Sequence, residues 1–257
     1  MKIQQQYVAL NVILLKEIRR FMRIWVQTIL PAVITMTLYF VIFGNLIGSQ
    51  LSDIHGFKYI DYIVPGIILM AIINNSYANV VSSFFSAKFQ RHVEELLVSP
   101  MPNYLIVLGY VSGGVARGLM VGLAVTIVSM FFVDLPFVNL LITLVVVILT
   151  SVLFSLGGFI NAVYAKSFDD ITIIPTFVLT PLTYLGGVFY SVDMLPGFWQ
   201  SISLVNPILY MINAVRYGML GVSDINIITA VGMIVLFVVT LFLFALYLLN
   251  KGIGIRS

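Results

Sequence analysis

Six long apolar stretches dominate the sequence and leave few folds open to it. They cover residues 24–47, 59–85, 104–133, 140–164, 171–190 and 225–249. A membrane-spanning helix needs about 20 mostly apolar residues, and unpaired backbone groups in hydrocarbon exclude open strands. The chain is 61% hydrophobic and 9% charged, whereas soluble domains are about 25% charged. The sequence therefore predicts an all-α membrane protein with six transmembrane helices, formed by a single domain over residues 1–257.

Lys and Arg residues concentrate near alternate ends of the predicted spans. One side holds Lys2, Lys16, Arg19, Arg20, Arg23, Lys88, Arg91, Lys166, Lys251 and Arg256, and the other holds Lys58 and Arg216. Because positive residues are retained on the cytoplasmic side, we expect both termini to be cytoplasmic. The net charge of +3 thus flanks membrane segments rather than forming a patch, and no nucleic-acid partner is predicted.

One further arginine, Arg117, falls inside the third apolar stretch. A charge at mid-membrane costs about 2.5–3.5 kcal/mol on insertion scales. Two interpretations are open. In the first, Arg117 lies near the cytoplasmic interface and its side chain snorkels to it, since this stretch is longer than a span requires. In the second, the arginine is buried and paired.

Residues 7–25 have the periodicity of an amphipathic helix. At about 100° per residue, one stripe is apolar and contains Tyr7, Leu10, Leu14, Ile18, Phe21 and Trp25. The opposite face is basic and contains Lys16, Arg19, Arg20 and Arg23. The pattern predicts that residues 1–23 form an interfacial helix on the cytoplasmic membrane surface. Such a helix serves as a membrane anchor, as a docking surface for a cytoplasmic partner, or as both.

The loop after the second span carries a shorter helical pattern, which Pro100 and Pro102 end. Its apolar positions are Phe89, Val93, Leu96 and Leu97, and its charged positions include Lys88, Arg91, Glu94 and Glu95. The pattern fits either a solvated turn or a helix that inserts its apolar face into a groove on a soluble protein. In the second case Arg91, Glu94 and Glu95 would set the register.

Residues 191–221 are apolar but are broken at Pro196-Gly197 and at Asn206-Pro207 into pieces too short to cross a bilayer. They lie between the outward ends of two predicted spans. We therefore predict an outward-facing re-entrant or interfacial helical hairpin. The aromatic residues suited to the interface are Trp199, Tyr210 and Tyr217.

The fifth span has its own start and break signals. Ser167 and Asp170 stand three residues apart before the apolar run, the spacing of a capping box. Pro175 and Pro181 predict kinks within the span.

Polar side chains recur at helical spacing inside two of the spans. In the second span they are Asn75, Asn79, Ser82, Ser83 and Ser86, and in the fifth they are Thr176, Thr180, Thr183 and Tyr184. Polar groups in hydrocarbon need partners or water, so these residues either form interhelical hydrogen bonds or line a pathway that opens to water. In the third span, by contrast, the repeated small residues favour close helix packing. They are Gly109, Gly113, Gly114, Gly118 and Gly122.

Catalytic chemistry is poorly represented in the sequence. No Lys follows a Gly, so the phosphate-binding Walker A motif is missing, and Cys is absent. The two histidines, His55 and His92, are far apart in the chain and form no His-Glu-x-x-His helix. We therefore expect no enzyme activity, no catalytic residue, no metal site and no cofactor in this chain.

The C-terminal half carries a pattern that is similar to the signature of the type-2 ABC-transporter permease family, which includes bacterial drug and polysaccharide exporters. The matching residues are Leu179, Leu182, Leu185, Gly186, Val188, Leu195, Pro196, Pro207, Ile208, Tyr210 and Arg216. The resemblance covers nearly the whole chain.

The resemblance implies a homodimer in the bacterial inner membrane, in which each six-span half docks onto a separate cytoplasmic ATPase subunit. Two ATPase copies would then bind the ATP and Mg²⁺ that this chain does not. The family's coupling segment would be residues 87–99, the place where the amphipathic pattern independently predicts a partner helix. The family also places an outward hairpin before the last span.

The same resemblance implies that substrate passes along the dimer interface between spans two and five. Asn75, Asn79 and Ser83 would line this route from one side, and Thr176, Thr180 and Tyr184 from the other. The hypothesis is therefore an exporter's permease subunit driven by a separate ATPase. The rival interpretation is an ATP-independent secondary carrier or channel, for which Arg117 would be the candidate ion-coupling charge.

Overall fold

The computed structural model describes residues 2–50 and 53–254, most of which are helical. Within these residues the extended pairing is limited to an isolated bridge between Ile54 and Phe57. Arg256, which contributed to the predicted orientation, lies outside them. The all-α fold class is confirmed.

Five helices of the described residues are long and apolar enough to cross a membrane. They are Trp25–Gly44, Tyr59–Phe89 (α4), Asn103–Ser129 (α6), Leu140–Tyr164 (α7) and Ile227–Lys251 (α12). The first comprises α2 (Trp25–Thr28), α3 (Leu30–Tyr39) and the first part of a π-helical segment, Phe40–Ile47. Their bounds differ by only a few residues from the sequence prediction, because each ends where the apolar run meets polar residues or Pro.

The fifth predicted span, residues 171–190, is shorter than expected. It consists of α8 (Asp170–Ile174), a π-helical segment (Pro175–Leu179) and α9 (Thr180–Leu185). The chain turns at Gly187, whose φ of 79° favours glycine, so the predicted end at residue 190 is wrong. Ending at Leu185, the helix has fewer than the about 20 residues of a usual span. The π-helical segment begins at Pro175, one of the two predicted break points, since proline cannot donate a backbone hydrogen bond.

The predicted capping box at the start of α8 is confirmed. Asp170 Oδ2 accepts hydrogen bonds from the backbone N–H groups of Lys166 at 2.7 Å and Ser167 at 3.0 Å. The Asp170 backbone N–H in turn donates to Ser167 Oγ at 3.2 Å. These bonds, that of Lys166 above all, lower the pKa of the Asp170 carboxyl. A negative charge is thereby fixed at a helix N-terminus, where the helix dipole favours it.

Helix α1 (Ile3–Arg23) packs lengthwise beside the first half of α6. Gln6, Ile13 and Glu17 of α1 meet Tyr104, Gly109 and Gly113 of α6 in the same chain order. Its inward face is centred on Ile13, Glu17 and Phe21, whereas Tyr7 and Trp25 of the predicted apolar stripe are exposed. The predicted stripe is therefore only partly correct, because a buried carboxylate occupies the middle of the contact face.

Helix α4 lies at the centre of the molecule, between α6 and α7. Glycines make these contacts close, as predicted for the third span. A Cβ at Gly114 would lie 3.0 Å from the backbone oxygen of Ser76, and one at Gly122 would lie 2.6 Å from Ile72. On the other side, a Cβ at Gly158 of α7 would lie 2.6 Å from the backbone oxygen of Tyr77. The packing role of the glycines is confirmed.

Three short helices complete the fold. They are α5 (His92–Val98) after the central helix, and α10 (Gly197–Val205) and α11 (Pro207–Leu220) before the last one. The last two form a helical pair within the predicted 191–221 segment, and neither is long enough to span a bilayer. Most of α11 is buried against α4, α7 and α12, whereas α10 is largely exposed.

Candidate functional site

The polar stripe of α4 contacts the N-terminal helix. Ser83 Oγ donates to Glu17 Oε1 at 2.7 Å, and Arg20 donates to the backbone oxygen of Asn79 at 2.9 Å and to its Oδ1 at 2.8 Å. Arg20 also lies 3.3 Å from Glu17. The Glu17 side chain is 0% exposed, so its charge depends on these partners. Asn79 and Ser83 are thus buried under α1 in this conformation.

Arg20 therefore corrects one sequence prediction. The helical pattern placed it on the basic outer face of α1, but its guanidinium group faces α4. An arginine can bend toward a buried carboxylate one turn away, and the pairing with Glu17 offsets part of its desolvation.

Asn75, one helical turn before Asn79, binds the intramembrane arginine. Arg117 donates from a terminal nitrogen to Asn75 Oδ1 at 3.1 Å. Both residues lie near the middle of their long helices, α4 and α6. Snorkelling of Arg117 to the membrane surface was one of the two interpretations of the sequence, and this hydrogen bond favours the other, in which the residue is buried and paired.

The polar residues of the fifth apolar helix form an uncovered face. Thr176, Thr180 and Tyr184 follow one another at four-residue spacing, and all three are exposed. The Thr180 hydroxyl donates to the backbone oxygen of Pro175 at 2.9 Å, so it already has one partner. This face is available to a second chain or to a solute.

Aromatic rings border that face at one end. Phe189 lies 4.8 Å from Phe43 and 5.7 Å from both Tyr39 and Tyr184, measured between ring centroids. The Tyr39 and Tyr184 hydroxyl oxygens are 3.5 Å apart. The cluster joins the first apolar helix to the end of α9.

The structure therefore does not bring the two halves of the predicted pathway together within one chain. The residues of α4 are covered by α1 or bound to Arg117, and those of the Pro175–Leu179 segment and α9 face outward. A route lined by both sets would need a second chain or a movement of α1.

The predicted partner-binding loop forms helix α5 at the far end of α4. A sharp turn separates the two helices, and Arg91 adopts a left-handed conformation there, with φ of 61°. Val93, predicted to insert into a partner, is 1% exposed and packs in the chain's own core. Phe89, Arg91, Glu94 and Glu95 are exposed, and Leu97 is half-buried. The apolar side of α5 thus anchors it to α4, and its charged side faces outward.

This end of α4 is also fixed to α7 and α8. Lys88 Nζ donates to the backbone oxygens of Val163 at 2.6 Å and Ala165 at 2.7 Å, which end α7. The ring of Phe168 packs edge-on against Phe85 at 4.9 Å and lies 5.3 Å from Phe89. The end of α4 that precedes α5 is therefore joined to the end of α7 and to the loop before α8.

The signature residues hold the α10–α11 pair against the end of α9. Pro196 is the N-cap of α10, and Pro207 is the first residue of α11, where the missing N–H of proline is tolerated. The Tyr210 hydroxyl donates to the backbone oxygen of Leu204 at 2.7 Å. A Cβ at Gly186 would lie 2.8 Å from Ile208, so a larger residue there would push α11 away.

Arg216, the last signature residue, is 0% exposed. Its guanidinium carbon lies 3.9 Å from the ring centroid of Tyr62, and it donates to the backbone oxygen of Gly187 at 2.8 Å. Asp224, whose side chain is 4% exposed, lies 4.0 Å from it and 3.4 Å from His55 Nε2. This Arg216 cluster joins the loop before α4, the turn after α9, α11 and the loop before α12.

Sequence reasoning missed Glu17 and Asp224, the acidic members of the two buried charge groups. Glu17 had a usable signal, since it is the only acidic residue among the first 50 and stands four residues from two members of the buried face. Asp224 lies in a loop and carries no comparable pattern. Its partners are brought near it only by the tertiary fold.

Residues 8–220 match the model of the family described as ABC-2 type transporter. The chain belongs to that family. The match begins within α1 and ends with α11. It therefore includes the polar stripe of α4, helix α5 and Arg216. The permease resemblance noted in the sequence is thus confirmed, and the chain is a transmembrane transport protein.

Curated relatives match from 81% to 98% of the permease. It is 59% identical over 251 residues to the inner membrane transport permease YadH of Escherichia coli strain K12, covering 98% of each chain. Nodulation protein J of Rhizobium leguminosarum bv. viciae is 25% identical over 209 residues, covering 81% of each chain. The corresponding protein of Rhizobium meliloti is 24% identical over 209 residues.

Proposed function

We propose that this chain is the permease subunit of an ATP-binding-cassette exporter, and that α5 couples it to a separate ATPase. The observation that carries the proposal is the construction of α5. Val93 is buried in the permease, the charged residues Arg91, Glu94 and Glu95 are exposed, and the helix stands at the end of the central helix. Family membership supports the same assignment, since ABC-2 proteins are transporters.

Two ATPase copies would bind ATP and Mg²⁺ and close on each other. Closure would draw the α5 helices of two permease copies together. Because Lys88 and Phe85 tie the end of α4 to α7 and α8, the displacement would reach the helices that carry the pathway residues. A switch between inward-facing and outward-facing states requires a partner that binds one of the two states more strongly. In the proposal, the ATPase is that partner.

A homodimer accounts for the uncovered face of the Pro175–Leu179 segment and α9. In the proposal, Thr176, Thr180 and Tyr184 line the route between two copies, with Asn75, Asn79 and Ser83 reached when α1 moves. Exposed apolar surface on the outer helices faces lipid, as the low burial of α12 and of Trp25–Gly44 suggests. The relative YadH is named as an inner membrane permease, and we assign the same location to this chain.

In the proposed topology, the short α8–α9 segment enters the membrane in addition to the five long helices. Both termini are cytoplasmic, and α10 and α11 face outward. Because the native chain contains no Cys, single substitutions report topology directly. We expect a membrane-impermeant maleimide to label His55→Cys in intact spheroplasts and to label His92→Cys only after permeabilisation. Labelling of His92→Cys from outside would contradict the topology and the docking role of α5.

Reversing the exposed charges of α5 should uncouple the permease from its ATPase. The variant is Arg91→Glu with Glu94→Lys and Glu95→Lys. Like charges facing each other across an interface cost several kcal/mol, so we expect ATPase binding to weaken by roughly 100-fold or more. The measurement is ATP hydrolysis recovered with the affinity-purified permease from native membranes.

The matched control reverses charges at the opposite end of the molecule, by Asp53→Lys with Lys58→Glu. Both residues are exposed, and the control should retain normal ATPase recovery. Equal recovery with the α5 variant and the wild type would refute the coupling role of α5.

A further inference from the structure

A basic cleft lies where α1 meets the first apolar helix. It has a volume of about 520 Å³ and is lined by Lys16, Arg19, Arg20, Arg23 and Ile24. Four of these five residues are cations, and the lining contains no acidic side chain. The cleft is therefore complementary to an anion.

Arg20 forms the fixed wall of the cleft. Its guanidinium group is held by Asn79 at 2.8 Å and by Glu17 at 3.3 Å. Glu17 cannot neutralise the other cations, because it is fully buried and its second oxygen accepts from Ser83. The only acidic residue of this helix is thus already used.

The remaining cations are without a carboxylate partner in the described part of the chain. Neither Arg19 nor Arg23 has an ion pair there, and both are exposed. Lys16 lies 5.9 Å from the ring centroid of Tyr110, a contact with a neutral group. The cleft therefore carries a net positive charge that its own chain does not balance.

The position of the cleft matches the headgroup level of a bilayer. Arg23 stands two residues before the first membrane-spanning helix, which starts with the exposed Trp25, and tryptophan is enriched at that level. Helix α4 has 31 residues and is therefore about 46 Å long, longer than the about 30 Å hydrocarbon core. We place the excess of about 16 Å on the side of α5, so that Asn79, which anchors Arg20 and lies some ten residues, or about 15 Å, from that end of α4, stands at the boundary of the hydrocarbon core.

We propose that this cleft binds the phosphate headgroup of an anionic membrane lipid. The phosphate would contact Arg19, Arg23 and Lys16, with Arg20 as the preoriented fourth cation. The acyl chains would lie against Ile24 and the exposed Trp25 and Val26, which start the membrane span. A soluble protein partner fits this surface less well. The basic residues of the cleft and the apolar residues beside it follow each other along the membrane normal, which is the order of headgroup and acyl chains in a lipid.

The test uses the purified permease in a neutral detergent, without any ATPase, so that its result is independent of the proposed coupling. Phosphatidylglycerol is titrated while the melting temperature is recorded, with phosphatidylcholine and inorganic phosphate in parallel. We expect saturable stabilisation by phosphatidylglycerol alone. Arg19→Gln with Arg23→Gln should weaken the apparent affinity for phosphatidylglycerol about 30-fold. Each basic residue near an anionic headgroup contributes a factor of about five, and the variant removes two of them.

The control is Lys58→Gln with Lys251→Gln, which also removes two exposed cations but none from the cleft. It should bind phosphatidylglycerol like the wild type. Equal weakening by the control would show non-specific attraction and overturn the proposal. Equal stabilisation by inorganic phosphate would overturn the assignment to a lipid. Unchanged lipid affinity in the cleft variant would overturn the proposal, and loss of ATPase recovery with that variant in a separate purification from native membranes would assign the surface to a protein instead.

Discussion

Replacing Arg216 with Ala is expected to destabilise the permease by about 3–5 kcal/mol, the usual effect of removing one partner of a buried ion pair. The substitution leaves the Asp224 carboxylate, 4% exposed, with His55 and two weaker donors, and it removes the hydrogen bond to Gly187. It also removes the cation that lies over the Tyr62 ring. The measurement is reversible unfolding in mixed micelles, followed by the loss of helical circular dichroism.

A double-mutant cycle separates this interaction from simple loss of packing. Asp224→Asn in the Arg216→Ala background removes the buried carboxylate that has lost its arginine, so we expect the double variant to recover part of the lost stability. Lys251→Ala, at an exposed position outside the basic cleft, should change the stability by less than about 0.5 kcal/mol. A similarly small effect for Arg216→Ala would show that the cluster does not support the fold.

The membrane helices were predictable because hydrophobic length alone determines them. Residues 140–164 were assigned from composition, and α7 has the same bounds. The fifth span was predicted too long, since hydropathy continues past Leu185 while the backbone turns at Gly187. Hydropathy measures the preference of side chains for lipid and is insensitive to a glycine that ends a helix.

The contact face of α1 was not predictable from its average amphipathicity. Hydrophobic periodicity assigns a charged residue to solvent, but Glu17 is buried because Gly113 leaves room for it and Ser83 and Arg20 bind it. All three of these partners contribute through geometry that the periodicity does not contain. For the same reason the sequence identified Asn79 as polar and membrane-embedded but did not identify its partner.

Helix α4 connects the sites that the sequence treated separately. The Arg216 cluster contacts Tyr62 at the start of α4, and α1 covers Asn79 and Ser83 in the second half of α4. Helix α5 follows Phe89, the last residue of α4. Tyr62 and Phe89 are separated by about 40 Å along the helix. The proposed coupling, in which movement of α5 reaches the proposed pathway residues, therefore requires a rigid contact between α4 and its neighbours.

The most sensitive of those contacts lies at Gly158, and Gly158→Val is expected to cause a loss of stability of several kcal/mol. A Cβ there would lie 2.6 Å from the Tyr77 backbone oxygen and 3.3 Å from the Val81 backbone nitrogen. Backbone atoms cannot rotate away as a side chain can, so α7 must separate from α4. Overpacking of a well-packed core typically costs about 1–3 kcal/mol, and here helix separation adds lost contacts along the interface.

The neighbouring glycine provides a matched comparison on the same helix. At Gly157 a Cβ would meet only ring atoms of Tyr77 at 3.8 Å, an ordinary van der Waals distance. Gly157→Ala should therefore be neutral or stabilise the helix by up to about 1 kcal/mol, while Gly158→Ala should already lower the unfolding midpoint. If both alanine variants unfold at the same midpoint, α4 and α7 are not in the close contact described, and α5 has no rigid connection to the pathway helices.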